Sequence, residues 1–131
     1  MNMRVILTLL LLTSLCTSGR AQDLERKFIV VSSSSIFADM TRVISGDLVD
    51  VESIVPIGSD PHTYEPTSSN VQLIARADLV LVNGLTFEGW MNDLIENSGA
   101  VAETATITEG IGAIARGQYV NFSDPHAWMT A

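Results

Sequence analysis

Several residue types are scarce in this chain of 131 residues, and each shortage removes a class of function. Cys16 is the only cysteine, so the chain can form no internal disulfide and no cluster of thiolate metal ligands. Basic residues number 7 against 15 acidic ones, and the net charge is −8. The sequence has no basic run, which makes nucleic acid and anionic membrane surfaces poor partners. There are only two histidines, His62 and His126.

The N-terminus has the pattern of a secretory signal peptide. A basic residue near the start precedes a mostly apolar stretch over residues 5–16, and Gly19 and Ala21 are the small residues of a cleavage site. The apolar stretch is too short for a stable membrane-spanning helix. A lipoprotein signal would place a small residue before Cys16, where this chain has Leu15. We therefore predict that residues 1–21 are removed.

Cleavage at that point would leave residues 22–131, a length typical of one domain. Two arginines would leave with the signal peptide, which changes the net charge from −8 to −10. An acidic protein outside the cytoplasm suits a cationic ligand. The mature chain is predicted not to span the membrane itself.

Apolar or alternating segments predict four strands, and a helical pattern separates each strand from the next. The strands are predicted at residues 28–31, in a segment that ends at Pro56, at residues 79–82 and within residues 100–108. The order β-α-β-α-β-α-β is typical of an α/β fold. We expect a four-stranded, mostly parallel sheet with helices on both faces.

The helical segments carry predictions of their own. The run of serines from Ser32 to Ser35 is expected to form a turn before the first helix, and Gly46 is expected to end that helix. Candidates for the N-cap of the second helix are Ser68, Ser69 and Asn70. The apolar positions that share a helical face are Ile36, Met40, Val43 and Ile44 in the first helix and Val71, Ile74 and Ala75 in the second. In the third helix the residues predicted to face inward are Trp90, Met91, Leu94 and Ile95.

The tetrapeptide Ser-Asp-Pro-His occurs twice, at residues 59–62 and 123–126, and these copies contain both histidines. Each copy follows a predicted strand, and the carboxyl ends of parallel strands meet at one edge of a sheet. Proline fixes φ and aspartate accepts local turn hydrogen bonds, so each copy is expected to hold its imidazole stiffly. Because imidazole is the commonest metal ligand in proteins, His62 and His126 are candidate ligands of one divalent ion. The alternative is that each histidine only packs or forms hydrogen bonds.

Two weaker patterns suggest other functions. Glu65 is the carboxylate nearest to His62 in sequence and is the candidate general base of a metal-dependent hydrolase, although Pro66 interrupts the helix that such a motif requires. Gly110, Gly112 and Ala115 have a dinucleotide-binding spacing, but Gly117 would break the following helix, so a surface loop is the preferred interpretation. A non-catalytic adhesion or structural domain with inert histidines is a further alternative.

Four motifs occur in a fixed order: PHTYEP at residues 61–66, ADLVLVNG at 77–84, EGWM at 88–91 and DPHAW at 124–128. With them the chain resembles the metal-specific solute-binding proteins of bacterial zinc, manganese and iron ABC importers, over essentially all of the predicted mature chain. The resemblance implies that His62 and His126 are the first two metal ligands. Family members usually have PTPSD after the glutamate of the first motif, whereas residues 66–70 here read PTSSN.

The resemblance also implies a larger protein, in which a long helix joins two α/β lobes and the second lobe supplies the remaining ligands. This chain is accordingly expected to be the N-terminal lobe, truncated before the linking helix. Its expected function is binding without catalysis, in which it captures a divalent metal in the periplasm and delivers it to an ABC permease in the inner membrane. Zinc-importing members often have a histidine-rich loop before the second histidine. Residues 101–122 contain no histidine, which slightly favours Mn²⁺ or Fe²⁺ over Zn²⁺.

Overall fold

A computed structural model describes residues 26–111 and 124–129, and its secondary structure follows the predicted order. The strands are β1 (Phe28–Ser34), β2 (Val49–Val55), β3 (Leu79–Val82) and β4 (Glu103–Thr106). The helices are α1 (Ser35–Ser45), α2 (Ser68–Ala75) and α3 (Met91–Ser98), and a 3₁₀ turn covers Ala127–Met129. The predicted α/β fold with a four-stranded parallel sheet is confirmed.

The strands are arranged in the order β2-β1-β3-β4, and every neighbouring pair is parallel. The chain therefore crosses from β1 to β2 in one direction and from β2 to β3 in the other. Because such crossovers are almost always right-handed, this reversal places α1 on one face of the sheet and α2 and α3 on the opposite face. The reversal also lies at the carboxyl ends of β1 and β3, where open α/β sheets bind their ligands.

The main core lies between the sheet and the pair α2 and α3, which pack against each other. Its buried members come from three strands and from both helices: Val31, Ile54, Leu73, Ile74, Val80, Met91 and Leu94. On the other face α1 contacts β1 and β2 and buries Phe37 and Ala38. Both faces of β1 are thus covered, which explains its nearly continuous apolar start.

The predicted serine turn is wrong, because Ser32, Ser33 and Ser34 continue β1 and only Ser35 begins the helix. These three serines are at most 1% exposed. β1 is a central strand with partners on both sides, and its pairing with β2 continues as far as Ser34 opposite Val55. Pairing with β2 as far as Ser34, and with β3 as far as Ser32, therefore holds this backbone in the sheet, and this outweighs the preference of serine for turns.

The apolar face of α1 does not point at the core. Ile36, Met40, Val43 and Ile44 are exposed, and Val43 and Ile44 are 79% and 86% exposed. Because β1 runs directly into α1 without intervening turn residues, the junction fixes the rotation of the helix and points Phe37 and Ala38 at the sheet instead. Gly46 follows the helix with φ of 55°, as its position in the sequence predicted.

The N-cap of α2 is Thr67, one residue before the first of the predicted candidates. Asn70 contributes from inside the helix, since its side-chain oxygen accepts hydrogen bonds from the Thr67 backbone N–H at 2.8 Å and from the Tyr64 hydroxyl at 3.1 Å. Ala75, which was grouped with the apolar face of α2, is exposed. In α3 the prediction is confirmed for Met91 and Leu94, which are buried.

No helix within residues 26–111 or 124–129 is long and apolar enough to cross a membrane. The predicted signal peptide at residues 1–21 and the glycine-rich stretch from Gly112 to Gly117 lie outside the described residues.

Candidate metal centre

The two histidines meet at one edge of the sheet. His62 lies in the loop after β2, and His126 immediately precedes the 3₁₀ turn. Their Nε2 atoms are 3.4 Å apart, although 64 residues separate them in sequence. Two imidazole nitrogens bound to one tetrahedral ion at Zn–N distances of about 2.0–2.1 Å would be roughly 3.3–3.4 Å apart. The spacing therefore suits two nitrogens that share one cation.

The two Ser-Asp-Pro-His copies form the same local turn. The backbone N–H of His62 donates to Oδ1 of Asp60 at 2.9 Å, and that of His126 donates to Oδ1 of Asp124 at 3.0 Å. Asp124 has a further role, because its Oδ1 also lies 2.8 Å from Nδ1 of His126. A carboxylate accepts this bond, so in a neutral ring the contact favours the tautomer with the proton on Nδ1 and the lone pair on Nε2.

Aromatic rings form the floor beneath the histidines. Phe87 is 2% exposed, and its ring centroid lies 4.8 Å from that of His62 and 5.8 Å from that of His126. The ring centroid of Trp128 lies 5.3 Å from that of His126 and 4.9 Å from that of Phe37 in α1. All of these pairs are edge-on, the preferred geometry for aromatic rings. The rings limit the rotation of both imidazoles and exclude water from one side.

Two side chains anchor the histidine loops from below. The indole N–H of Trp90 donates to the carbonyl of Pro61 at 2.8 Å, and the amide of Asn83 donates to the carbonyl of Pro125 at 2.9 Å. In each loop the anchored carbonyl belongs to the residue directly before the histidine. Asn83 of the motif ADLVLVNG therefore contacts the loop of His126, and Trp90 of the motif EGWM contacts the loop of His62.

Within the described residues, no third histidine, cysteine, aspartate or glutamate joins the pair to form a group that could hold a metal ion. Glu65 is exposed and lies outside any such group. Of the predicted dinucleotide spacing only Gly110 is described, in a turn after β4. The site in this part of the chain thus consists of two imidazoles on an aromatic floor.

Sequence reasoning missed the aromatic floor and the two anchors as parts of the site. A signal for Asn83 exists, because an amide that directly follows an apolar strand stands at the edge where ligands bind. Phe87 offered no comparable signal, since a single phenylalanine in a loop is normally assigned to the core. The helical pattern predicts Trp90 on the inward face of a helix, whereas Trp90 precedes α3 and its indole N–H donates to the carbonyl of Pro61.

Residues 30–131 match the family described as zinc-uptake complex component A periplasmic. The chain belongs to this family. The match covers every described element of the site, from the aromatic floor to the two histidine loops.

Family members with related sequences include metal-transport proteins of streptococci. The chain is 37% identical over 122 residues to the metal ABC transporter substrate-binding lipoprotein FimA of Streptococcus parasanguinis, covering 87% of this chain and 40% of FimA. It is 36% identical over 135 residues to the iron ABC transporter substrate-binding lipoprotein MtsA of Streptococcus pyogenes serotype M1, covering 94% of this chain and 42% of MtsA. The chain thus spans about two fifths of the length of these relatives.

Solved structures of the family share the fold. The Mn-bound periplasmic metal binding protein from candidatus Liberibacter asiaticus superposes with a TM-score of 0.72 at 39% identity, covering 79% of this chain and 39% of that protein. The Zn(II)-bound ZnuA-like domain of Streptococcus pneumoniae AdcA gives a TM-score of 0.66 at 26% identity, covering 79% of this chain and 38% of that domain.

Proposed function

We propose that this chain is the first lobe of a solute-binding protein that captures a divalent transition metal outside the cytoplasmic membrane and delivers it to an ABC permease. In this proposal residues 1–21 are a cleaved signal peptide, residues 22–131 belong to the N-terminal lobe, and a second lobe completes the protein. His62 and His126 are the metal ligands that the first lobe contributes. The observation that carries the proposal is the 3.4 Å separation of their Nε2 atoms.

Membership of the family supports a transported metal rather than a resident cofactor. The relatives are named as substrate-binding components of metal and iron ABC transporters. A substrate-binding protein must release its cargo, and a half-site that depends on a second lobe for the remaining ligands suits release. Two nitrogens alone leave a transition metal with an incomplete shell, so this chain by itself is expected to bind weakly.

The proposed cargo is Mn²⁺ or Fe²⁺ in preference to Zn²⁺. The relatives that are 36–39% identical include an iron transport protein and a Mn-bound structure, whereas the Zn(II)-bound domain is 26% identical. Residues 101–122 also lack the histidines of a zinc-scavenging loop. Both observations favour the same metals.

We propose binding without catalysis. A zinc hydrolase requires three protein ligands, an open position and a general base within reach of the bound water. The candidate base, Glu65, is exposed and belongs to no metal-holding group in the part of the chain that the structure describes.

Calorimetric titration of the purified chain with Mn²⁺ and Zn²⁺ tests the proposal. We expect weak binding of one ion, lost in His62→Ala and in His126→Ala. Asp47→Asn is a suitable control, because this exposed carboxylate precedes β2 and so lies at the opposite edge of the sheet. Binding that survives replacement of both histidines would contradict the assignment, and ester or peptide hydrolysis that Glu65→Gln abolishes would favour the hydrolase.

A further inference from the structure

Residues 83–90 connect β3 to α3 and contact both histidine loops at equivalent places. Asn83, at the start of this segment, donates to the carbonyl of Pro125 at 2.9 Å. Trp90, at its end, donates to the carbonyl of Pro61 at 2.8 Å. In each case the acceptor is the carbonyl of the residue directly before the histidine. The segment therefore fixes the backbone to which each imidazole is attached.

The segment is held in a rigid and unusual conformation. Gly84, Leu85 and Thr86 all have positive φ, at 84°, 52° and 61°, and a left-handed conformation is unfavourable for leucine and threonine. A side chain at Gly84 would approach Thr106 to 2.6 Å. Such a conformation persists only where its surroundings determine it, and backbone strain of this kind concentrates at functional sites.

Bonds inside the segment, and one from the turn after β4, supply those surroundings. The buried carboxylate of Glu88 accepts the backbone N–H of Asn83, and the hydroxyl of Thr108 donates to the backbone carbonyl of Asn83. The backbone N–H of Phe87 closes the turn on the carbonyl of Gly84 at 3.0 Å. As a result both ends of the segment and the aromatic ring beneath the histidines are fixed relative to one another.

Packing alone does not explain Asn83, because burying its side-chain amide is destabilising. It is fully buried, its Nδ2 donates to the carbonyls of Gly84 and Pro125, and its Oδ1 has no hydrogen-bond partner among the described residues. An unpaired buried acceptor is destabilising, so an apolar residue of similar size would suit a purely structural role better. The bond from Nδ2 to the Pro125 carbonyl is the contact that an apolar residue could not replace.

We infer that residues 83–90 act as a clamp that sets the distance between the two imidazoles, with Asn83 positioning His126 and Trp90 positioning His62. Neither residue touches the metal in this inference, and both act through the proline carbonyls. The inference deepens the proposed function and rests on it for the role of the histidines. It gives the motifs ADLVLVNG and EGWM, through Asn83 and Trp90, a role in the preorganisation of the site.

Two substitutions remove one clamp bond each. Asn83→Leu removes the amide donor and keeps the side-chain volume. Trp90→Phe removes the indole N–H and keeps an aromatic ring against Tyr64, whose ring centroid lies 5.5 Å from that of Trp90. Asn92→Leu is the matched control, because this asparagine is exposed on α3. Melting temperatures identify a variant that fails to fold. If one of the two variants fails to fold, the other is used to test the clamp.

The test has two readouts, one of which needs no metal. In the metal-free chain, NMR cross-relaxation between the two imidazole rings should be visible in the wild type and in Asn92→Leu, and should be strongly reduced in both clamp variants. In calorimetric titrations with Zn²⁺, each clamp variant should bind about tenfold more weakly, as is usual when support of a metal ligand is lost. A merely structural role would lower the melting temperature and leave the contact between the rings intact.

The outcomes separate the two proposals. If folded clamp variants retain both the contact between the rings and the wild-type affinity, the clamp is refuted while the metal site stands. If the wild type shows the contact and the variants lose it, but Zn²⁺ and Mn²⁺ do not bind even the wild type, the clamp stands and the proposed function fails.

Discussion

Asp124 shows how one carboxylate sets both the backbone and the ring of a proposed metal ligand. It accepts the backbone N–H of His126 and also bonds the ring Nδ1, which leaves Nε2 directed at His62. Asp60 accepts only the backbone N–H of His62 among the bonds that the structure describes. The two copies of one motif are therefore alike in backbone and unlike in their control of the ring.

This asymmetry predicts unequal losses of metal affinity. Asp124→Ala should weaken Zn²⁺ binding by roughly 10–100-fold, because it removes the partner that orients the ring and fixes its tautomer. Asp60→Ala should weaken binding less, since the bond that the structure describes for Asp60 is to the backbone N–H of His62 and not to its ring. Calorimetric titration of the two variants checks the ranking, and equal losses would show that backbone turns alone set the geometry.

Asp78, just before β3, has an electrostatic role that depends on pH. The backbone N–H of Ile29 donates to its carboxylate at 2.8 Å and Arg26 pairs with it, and these contacts hold the pKa of Asp78 below the usual value of about 3.9. A lowered folded-state pKa gives stability that is present above the unfolded pKa and is lost as the pH falls through the folded pKa.

Asp78→Asn should therefore be less stable than the wild type at pH 7, and the difference should close as the pH falls below about 4. Urea unfolding at several values between pH 3 and pH 7 measures it. A difference that stays constant over this range would mean that the lost contact is a neutral hydrogen bond and not a charge effect.

At this scale the sequence predicted the two candidate ligands but not the residues that contact and orient them. The histidines could be found because they are rare and share a tetrapeptide. No repeated motif distinguishes Asn83, Phe87 and Trp128 from other core and loop residues. Their role depends on contacts between segments that only the fold brings together, such as Phe37 of α1 against Trp128.

Among the elements, α2 depends on a cap in which Asn70 has the central role. Asn70 is 8% exposed. Its Oδ1 accepts from the Thr67 backbone N–H, the Thr67 hydroxyl and the Tyr64 hydroxyl. The bond to Tyr64 links the start of α2 to the loop that carries His62.

Asn70→Ala should destabilise the chain by about 1–3 kcal/mol, because it leaves buried donors without an acceptor. Asn70→Asp should be as stable as the wild type or slightly more stable at pH 7, since a carboxylate accepts the same bonds and an anion is favoured at a helix N-terminus. Chemical denaturation of both variants tests this pair. Equal losses would show that the amide nitrogen, and not the oxygen, is the important group.

Helix α1 shows the limit of periodicity. Its apolar residues at 36, 40, 43 and 44 form a regular stripe, yet the structure buries Phe37 and Ala38 instead. A stripe predicts that a helix exists, and this was correct. The face that is buried depends on how the strand joins the helix, and here β1 continues three residues further than its apolar run, through serines that sequence propensity assigns to a turn.

For the whole molecule, the alternation of strands and helices was sufficient to predict the parallel sheet. The strand order β2-β1-β3-β4 was not predicted, because several orders are compatible with the same succession of elements. That order places the ends of β1 and β3 side by side at the crossover reversal, close to the loops that carry the histidines. The candidate site thus depends on the topology, and the repeated tetrapeptide indicated only its proposed ligands.

The whole chain should be stabilised by a transition metal and not by a hard divalent cation. An ion that binds the folded chain at 100 times its Kd adds about 2.7 kcal/mol, enough to raise the Tm of a small domain by roughly 10 °C or more. Imidazole nitrogen suits Zn²⁺ and related metals, whereas Mg²⁺ prefers oxygen, so Mg²⁺ at the same concentration controls for general screening of the net charge of −8. Thermal unfolding should show a rise in Tm with Zn²⁺ that is absent with Mg²⁺ and absent from the His62→Ala, His126→Ala double variant. Equal rises with both ions in the wild type would mean that the acidic surface, rather than the histidine pair, holds the cation.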